Sequence, residues 1–486
     1  MPRRPVTLPL VLPPRDPRTP AYQWLYRALR AEITGRQLGP GHRLPATRDL
    51  ARQYAVSRGT VVAAFELLYA DGYVEGRIGS GTRVSAMLPA ADAVAPRDVA
   101  RSARPRRLSH AARRVAPFVQ HPGASARAFR ANQPALELFP AAVWARVASR
   151  AVRRASADLR LGCDPLGYAP LRHAIADYLT VSRGVSCTAA RIAVVSGVQE
   201  ALAVVAHLLV NPGDAVGLED PGYTGAHRVF ASAGARVRPI ALDADGAVVP
   251  GGRAALRLAY LTPAHQFPLG MAMSLARRVH WLAWARATGA VLVEDDYDSE
   301  FRYSGRPLSA LQGLDHDGHV IFVGSLSKVL CPAVRVGYLV VPDDLVDPVA
   351  AWLSVSSRHV SPLLQATLAD FMADGHFARH LRRARDVYAA RRGALLEGAD
   401  RWLRGRLDVV PVEVGLQTVG YLSGDAGAEA VARAAAARDV EVRALSRYAR
   451  SRPVRDGLQL GFAAADETEI GRGLRELARV LDQSRT

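Results

Sequence analysis

The sequence predicts two domains of different fold class: a small helical domain that ends in a β-hairpin, and a large α/β domain with a mostly parallel sheet. The chain has 486 residues, of which 49% are hydrophobic, so it is too long for one ordinary core and apolar enough for two. Residues 85–120 are rich in Ala, Pro and Arg and lack apolar periodicity, which is typical of a linker. We therefore predict a first domain over residues 15–85, a linker over 86–120 and a second domain over 121–486.

Helix and turn signals predict the fold of the first domain. Residues 20–35 carry apolar side chains on one helical face and close with a glycine. The next segment predicts a short helix capped by Thr47, a tight break at Val56-Ser57, and a longer helix that ends at Gly72. Residues 73–84 alternate around a Gly-Ser-Gly tip, as a hairpin does. The predicted core residues are Leu44, Leu50, Val61, Leu67, Leu68 and Val74.

Short apolar runs beyond residue 121 predict the strands of the second domain. Turns bound each run, and amphipathic segments such as LRHAIADYLTVSRG separate the runs. Strands of this kind are usual in parallel sheets that are buried on both faces. The runs are RIAVVSG, AVGLED, LRLAYL, AVLVEDD and VIFVGS.

Positive charge is concentrated at the N-terminus. Residues 1–115 contain 20 arginines and 8 acidic residues, whereas the whole chain has a net charge of +18. Clustered cations favour a polyanionic partner, because binding to a phosphate backbone releases counterions. A solvated basic surface is the alternative, and charge alone leaves both open.

The motifs of the first domain give this charge a function. Their order and spacing over some sixty residues resemble the winged helix-turn-helix of GntR-type repressors, which implies binding to double-stranded operator DNA. The motifs are Arg43-Leu44-Pro45-Ala46-Thr47-Arg48-Asp49-Leu50-Ala51, Val56-Ser57-Arg58-Gly59-Thr60-Val61, Gly72-Tyr73-Val74 and Gly79-Ser80-Gly81-Thr82.

Individual DNA contacts follow from these positions. Ser57 caps the second helix of the motif, so that Arg58 and Thr60 project from its first turn, where a recognition helix meets base edges. Arg48 and Arg58 are the candidates to read guanine, and a solvated helix face is the alternative for every arginine. The candidates for phosphate contacts are Arg43, Arg77 and Arg83.

One lysine stands out in the composition. Of the 63 basic residues, 62 are arginine and Lys328 is the single lysine. Arginine cannot replace lysine in chemistry that requires the side chain to lose a proton. Lys328 is therefore a candidate for a reactive amine.

Other compositional features exclude several protein classes. Cys163, Cys187 and Cys331 are scattered, which excludes a disulfide framework and gives no metal-ligand spacing, so we predict no metal site. No run of eighteen apolar residues exists, and the N-terminus does not resemble a secretory signal. We therefore expect a cytoplasmic protein that does not enter a membrane.

Five motifs of the second domain occur in a specific order. Together they resemble fold-type I aminotransferases over nearly all of residues 121–486. With the GntR-type domain in front, the whole chain resembles the MocR-type subgroup of GntR regulators. This resemblance implies pyridoxal 5'-phosphate as cofactor and a homodimer formed through the second domain. The motifs are Asp164-Pro165-Leu166-Gly167-Tyr168, Ser196-Gly197-Val198-Gln199-Glu200-Ala201, Glu219-Asp220-Pro221-Gly222-Tyr223, Glu294-Asp295-Asp296-Tyr297-Asp298 and Gly324-Ser325-Leu326-Ser327-Lys328.

The chemistry of pyridoxal phosphate suggests roles for individual residues of these motifs. The aldehyde needs an amine, the pyridine nitrogen a carboxylate and the ring hydroxyl a donor, which Lys328, Asp295 and Tyr297 provide. By the resemblance, Tyr223 stacks on the ring. The phosphate needs helix N-terminal amides, hydroxyls and an arginine. The residues that can supply them are Gly197, Val198, Gln199, Ser325, Ser327 and Arg335.

The second domain also departs from the aminotransferase pattern. Aminotransferases commonly carry Asn before Pro-x-Gly, whereas this chain reads His265-Gln266-Phe267-Pro268-Leu269-Gly270, which argues against efficient transamination. The candidates to hold an acidic group of the effector are Arg443, Arg447 and Arg455, while Leu458-Gln459-Leu460-Gly461-Phe462 contains no arginine. The arginines within 378–392 are expected to form a solvated helix face.

Two functions remain open on the sequence. The first is a DNA-binding regulator that senses a small amine or amino-acid-like effector by aldimine exchange at Lys328. The alternative is a working aminotransferase with a regulatory DNA-binding module, which a steady keto-acid product would reveal. The presence of both Lys328 and Asp295 argues against a domain that has lost its cofactor.

Overall fold

The structure is a computed structural model that describes residues 12–16, 18–77, 81–87, 107–114, 127–251, 255–305, 309–424, 427–451 and 453–483. Its contacts divide the chain into two compact units, Met1–Arg107 and Leu108–Thr486. The division falls inside the linker that we predict over 86–120, most of which lies outside the described residues.

The first unit contains three helices and a hairpin, as the sequence predicts. The helices are α1 (Ala21–Thr34), α2 (Thr47–Gln53) and α3 (Arg58–Ala70), and the antiparallel strands are β1 (Val74–Arg77) and β2 (Gly81–Val84). Apolar side chains from all three helices and the hairpin share one core. This core confirms most of the predicted residues, including Leu50 and Val61, which are fully buried.

Two local predictions in this unit are wrong. Thr47 does not cap α2, because it is the first helical residue and follows Ala46, whose side chain has no oxygen to offer. Leu67 is 37% exposed, because the buried face of α3 runs through Val61, Phe65 and Leu68 at helical spacing and Leu67 lies beside that face.

A seven-stranded sheet forms the centre of the second unit. Its strand order is β3-β11-β10-β9-β8-β4-β5, and β11 is antiparallel to both of its neighbours while all the other pairs are parallel. The predicted apolar runs form five of these strands. The strands are β3 (Ile192–Val195), β4 (Ala215–Glu219), β5 (Arg236–Ile240), β8 (Leu258–Leu261), β9 (Val291–Asp296), β10 (Val320–Ser325) and β11 (Gly337–Val340), and a small hairpin is formed by β6 (Leu242–Asp243) and β7 (Gly246–Ala247).

A second, antiparallel sheet follows near the C-terminus, which the sequence analysis does not predict. Its order is β12-β13-β15-β14, with β12 (Leu407–Val409), β13 (Gln417–Leu422), β14 (Arg443–Ala444) and β15 (Gly457–Gly461). The helices of the unit are α4 (His110–Arg114), α5 (Ala141–Arg154), α6 (Ala157–Leu161), α7 (Ala169–Arg183), α8 (Val198–Leu209), α9 (Thr224–Ser232), α10 (Leu275–Thr288), α11 (Asp343–Ser356), α12 (Pro362–Ala373), α13 (His376–Trp402), α14 (Ala428–Ala436) and α15 (Glu467–Gln483).

The large sheet is covered on both faces. Ile192 and Val194 of β3 belong to one apolar cluster and Ala193 and Val195 to another, because alternate residues of a strand point to opposite faces. Burial on both faces explains why the parallel strands are continuous apolar runs. The prediction of an α/β domain is confirmed.

The prediction of a solvated arginine face over 378–392 is wrong at Arg391. Its side chain in α13 is buried and donates to the Ala463 carbonyl at 2.5 Å and to Glu137 at 2.6 Å. Arg385 donates to the Glu300 carbonyl at 2.9 Å. Helical spacing alone does not show that loops supply acceptors along this helix.

Membrane spans, metal sites and disulfides can also be examined among the described residues. None of the helices among them is both long enough and apolar enough to span a membrane. They contain no cluster of three or more His, Cys, Asp or Glu side chains that could hold a metal ion. The three cysteines are free and partly exposed.

Candidate functional site

The strand ends of the large sheet bring the predicted cofactor residues together. Asp295 is the second-last residue of β9, Ser325 ends the neighbouring β10, and Lys328 follows three residues later. Gly197 lies between β3 and α8. Ligands of open α/β sheets bind at this carboxyl edge of the parallel strands.

Asp295 is a buried carboxylate with one free oxygen. Its Oδ2 accepts a hydrogen bond of 2.5 Å from the Tyr260 hydroxyl, and its Oδ1 has no partner among the described residues. Burial raises its pKa to about 7. A buried oxygen without a donor is costly, and a protonated pyridine nitrogen would supply both the donor and a compensating charge. The site therefore fits pyridoxal phosphate at this atom.

Lys328 lies beside Asn132, a residue that the sequence analysis does not identify. The Lys328 ammonium donates a hydrogen bond to the Asn132 carbonyl. Burial lowers the pKa of Lys328 to about 8, which outweighs the carboxylates of Asp298 and Asp295, and Arg443 lowers it further. A useful fraction of this amine is therefore unprotonated and nucleophilic near neutral pH.

The lowered pKa predicts the pH dependence of cofactor uptake. Only the free amine attacks the aldehyde, so the initial rate should rise with pH and reach half its maximum near pH 8. The rate should fall as pH decreases through that value. The measurement is the visible absorbance of the cofactor-free chain after addition of pyridoxal phosphate, with N-acetyl-lysine as the control amine. A midpoint at the ordinary lysine pKa of about 10.4 would contradict the prediction.

Tyr297 is held in a small polar cluster. Its hydroxyl lies 3.0 Å from Nδ1 of His265, which lies 2.8 Å from Oδ1 of Asp298. Nε2 of His265 is buried and has no partner among the described residues. A Cβ at Gly415 would lie 2.1 Å from the His265 ring, so glycine is needed there. Of this cluster, only Tyr297 is predicted from its motif, although Asp298 belongs to the same motif.

Tyr223 is fixed from two sides. Its hydroxyl accepts a hydrogen bond of 2.9 Å from Gln199, and its ring lies edge-on to Phe267 with centroids 5.7 Å apart. Burial raises its pKa to about 12. Gln199 thus contributes its side chain here, in addition to the backbone amide that the sequence analysis considers.

The predicted phosphate residues also lie together. Gly197 has φ +89°, and a Cβ there would lie 3.7 Å from the guanidinium carbon of Arg335. Arg335 itself donates to the Ser196 carbonyl at 3.1 Å. The backbone amide of Ser327 donates to the Ser325 hydroxyl at 3.3 Å, while the hydroxyl of Ser327 is buried without a partner among the described residues.

This arrangement fits a phosphate group. The amides of Val198 and Gln199 open α8, where the helix dipole favours an anion. A guanidinium beside them adds a charge-assisted donor. The free hydroxyl of Ser327 would gain an acceptor from a bound phosphate.

The three candidate effector arginines have different surroundings. Arg443, in β14, is near enough to Lys328 to lower its pKa. Arg447 is ion-paired with Glu429 at 3.0 Å, and Arg455 lies over the Tyr421 ring at 4.4 Å. Of the three, only Arg443 has a charge that acts on Lys328.

The candidate DNA-reading residues lie at the start of α3. Ser57 caps the helix as predicted, because its hydroxyl accepts a hydrogen bond of 3.1 Å from the Thr60 amide. Arg58, the first helical residue, is exposed, and so is Arg48 on α2. Neither forms an ion pair with any described residue, so both guanidiniums are available to a ligand.

The candidate phosphate contacts of this unit lie on and beside the hairpin. Arg83 of β2 donates to the Gly41 carbonyl at 3.0 Å, and its backbone pairs with that of the exposed Arg43. The backbone of Arg77 pairs with Gly81, but the side chain of Arg77 lies outside the described residues, as do Gly79 and Ser80.

Two regions of the chain match known protein families. Residues 21–84 match the gntR family of bacterial regulatory proteins. Residues 128–475 match aminotransferase class I and II.

Individual relatives are similar over nearly the whole chain. The probable rhizopine catabolism regulatory protein MocR of Rhizobium meliloti is 38% identical over 465 residues, which are 95% of this chain and 94% of that protein. The HTH-type pyridoxine biosynthesis transcriptional regulator PdxR of Corynebacterium glutamicum is 31% identical and covers 97% of this chain and 98% of its own length. Among solved structures, the α-aminoadipate aminotransferase LysN of Thermus thermophilus, complexed with N-(5'-phosphopyridoxyl)-L-leucine, is 27% identical with a TM-score of 0.66, covering 74% of this chain and 92% of that one.

Proposed function

Because the chain belongs to the MocR-type subgroup of the GntR family of transcription regulators, we propose that it senses a small amine at Lys328 and thereby alters its binding to operator DNA. Its aminotransferase-like domain uses pyridoxal 5'-phosphate as cofactor. The observation that carries the proposal is the single lysine of the chain, placed at the strand ends beside a buried aspartate with a free oxygen.

When bound, the cofactor supplies an aldehyde that can hold one amine at a time. In the proposed aldimine exchange, an effector amine takes the place of the Lys328 amine. Asp295 would hold the pyridine nitrogen protonated, Tyr297 would form a hydrogen bond with the ring hydroxyl, and Tyr223 would lie against the ring. The Lys328 ammonium donates a hydrogen bond to the Asn132 carbonyl in the structure, and we propose that the released amine makes this contact.

Asn132 lies between Lys328 and the small sheet. Its carbonyl accepts from Lys328, and its amide donates to Oε1 of Gln417 in β13 at 3.2 Å, which gives a hydrogen-bonded route between them. An effector that binds one arrangement of the domain better than another shifts the population between them. We propose that this shift changes how two DNA-binding domains are presented by a homodimer formed through the aminotransferase-like domain, in the cytoplasm where the operator lies.

A working aminotransferase is the second candidate function. The lowered pKa of Lys328 favours it, because a free amine near neutral pH could also move a proton during transamination. His265 and Tyr297 occupy the neighbourhood of the ring hydroxyl without the usual asparagine, which favours sensing instead.

One experiment separates the two functions. The cofactor-loaded chain is titrated with a panel of amines while visible absorbance, operator affinity and keto-acid formation are followed. A regulator should show an absorbance change, altered operator affinity and no steady product. Steady keto-acid formation with unaltered operator affinity would establish the aminotransferase, and no absorbance change with any amine would count against both.

Arg58 provides a test of the DNA-binding half. If the Arg58 guanidinium donates two hydrogen bonds to a guanine, we expect Arg58→Ala to weaken operator binding by about 1–3 kcal/mol. This loss corresponds to a roughly 5- to 150-fold increase in Kd at constant salt. The measurement is a fluorescence-anisotropy titration of the full chain with operator and with scrambled DNA.

Arg58→Lys is the matched control for this test. It keeps the positive charge but not the planar fork, so a base-reading residue should lose specificity in both variants. A phosphate-contacting residue would keep most of its affinity in the lysine variant. Unchanged affinity and preference in Arg58→Ala would remove this residue from the interface.

A further inference from the structure

Two buried glutamines of the small sheet each present an unpaired amide to the reactive side of the domain. Gln417 lies in β13 and Gln459 in β15, and Nε2 of each is buried without a partner among the described residues. We propose that these amides bind hydroxyl groups of the effector, so that the effector is a hydroxylated amine without a carboxylate. This inference rests on the proposed function and names the ligand class of the same site.

The strand pattern places both side chains on one face of the small sheet. Leu458 and Leu460 belong to the apolar cluster that includes α13 and α15, so Gln459 between them points to the opposite face. Its partner across the sheet is Val419, which packs with Phe267 and Tyr297 of the cofactor site. Gln417, two residues before Val419 on the same strand, lies on that same face.

Gln417 is two hydrogen bonds away from the reactive amine. Lys328 donates to the Asn132 carbonyl, and the Asn132 amide donates to Oε1 of Gln417 at 3.2 Å. A backbone amide can only donate, so it fixes Oε1 as the acceptor and leaves Nε2 as the free donor.

Gln459 is oriented in a similar way. Its Oε1 lies 2.7 Å from the Tyr448 hydroxyl, and Arg443 donates to that same hydroxyl. Because the hydroxyl accepts from Arg443, its own hydrogen points to Oε1 of Gln459. Nε2 of Gln459 is therefore the second free donor, on a side chain with no solvent exposure.

The groups of the cofactor do not account for these donors. The pyridine nitrogen, ring hydroxyl and phosphate have candidate partners in Asp295, Tyr297 and the start of α8. Leaving a buried amide donor without an acceptor costs free energy. A ligand with neutral oxygen acceptors would accept hydrogen bonds from both amides and remove that cost. Hydroxyl oxygens are such acceptors, and they carry no charge that the site would have to neutralise.

Charge argues against a carboxylate at this position. Arg443 of β14 is the register partner of Gln459. Arg443 is 44% exposed and lies 3.8 Å from Glu441, which itself pairs with Arg130 at 2.8 Å. Its charge is thus shared with a carboxylate and with the Tyr448 hydroxyl, which leaves the neutral amides of Gln417 and Gln459 as the buried donors.

A series of ligands with one ring and one amine tests the proposal. The probes are cyclohexylamine, trans-4-aminocyclohexanol, an aminocyclohexane with hydroxyls on the other five carbons, and trans-4-aminocyclohexanecarboxylate. The measurement is the Kd of each for the cofactor-loaded full chain, from the visible absorbance. We expect the polyhydroxylated amine to bind roughly ten- to hundredfold more tightly than cyclohexylamine and more tightly than the carboxylate.

Three variants connect any preference to the glutamines. Gln459→Met and Gln417→Met should each lose most of the advantage of the hydroxylated amine while still binding cyclohexylamine, which also shows that they fold. Gln459→Arg should shift the preference towards the carboxylate. Gln312→Met is the matched control, because both amide atoms of this buried glutamine are paired with Ser186, and it should keep the wild-type ranking.

The outcomes separate this inference from the proposed function. Tighter binding of the carboxylate than of the hydroxylated amine, with loss of that preference in Arg443→Gln, would overturn the inference but leave amine sensing intact. Equal loss of all four ligands in the methionine variants would also overturn it. If none of the amines altered the absorbance of the wild-type chain, the proposed function itself would fail.

Discussion

Replacement of Lys328 by arginine is expected to abolish covalent attachment of the cofactor and the response to the effector, while operator binding persists. A guanidinium remains protonated near neutral pH and cannot attack the aldehyde as a free amine does. The variant keeps the positive charge beside Asn132, so the loss would report on chemistry and not on folding. DNA binding should persist because the N-terminal unit has its own core.

The composition of the chain makes this experiment unusually clean. Borohydride reduction in the presence of pyridoxal phosphate fixes the cofactor to any amine that carries it, and mass spectrometry finds the labelled peptide. Lys328 is the only lysine, so the α-amino group is the remaining primary amine. Adding Arg404→Lys to the variant restores a lysine at an exposed site and should not restore effector response. Cofactor on a wild-type peptide without Lys328 would refute the assignment.

Asp295→Asn is expected to slow the exchange of the effector amine by a factor on the order of 10²–10³, the usual effect of removing one preorganised electrostatic group. Asparagine preserves the shape and can keep a contact with Tyr260, but it carries no charge to hold the pyridine nitrogen protonated. The measurement is the rate of absorbance change after mixing the loaded variant with an amine.

Glu294→Gln provides the matched control for this prediction. Glu294 is the preceding residue of β9, is equally buried, and accepts backbone hydrogen bonds of 2.8 Å from Leu311 and Gln312 instead of facing the cofactor site. Its substitution should lower the stability of the domain without altering the exchange rate of the folded protein. Equal exchange rates in Asp295→Asn and the wild type would remove Asp295 from the site.

The sequence by itself determined both fold classes and the central cofactor motifs. Apolar runs, helical periodicity and turn residues are local properties, so the five predicted strands and the three helices of the N-terminal unit follow from them. The cap at Ser57 is equally local, since it joins residues three apart. Lys328 is identified from composition because it is the only lysine in the sequence.

Only the tertiary structure decided which distant residues complete the site. Asn132 is 196 residues from Lys328, and Gln417 is 285 residues from Asn132, so no spacing in the sequence relates them. The small sheet was missed for two reasons. Its edge strands β12 and β14 have only three and two residues, and its longer strands β13 and β15 carry buried glutamines where apolar residues are expected. Long-range packing also buried Arg391, whose helical pattern indicates a solvated face, because its acceptors come from segments far away in the chain. Local patterns thus specify elements and motifs, whereas the partners of a buried polar group depend on which segments the fold brings within hydrogen-bond distance.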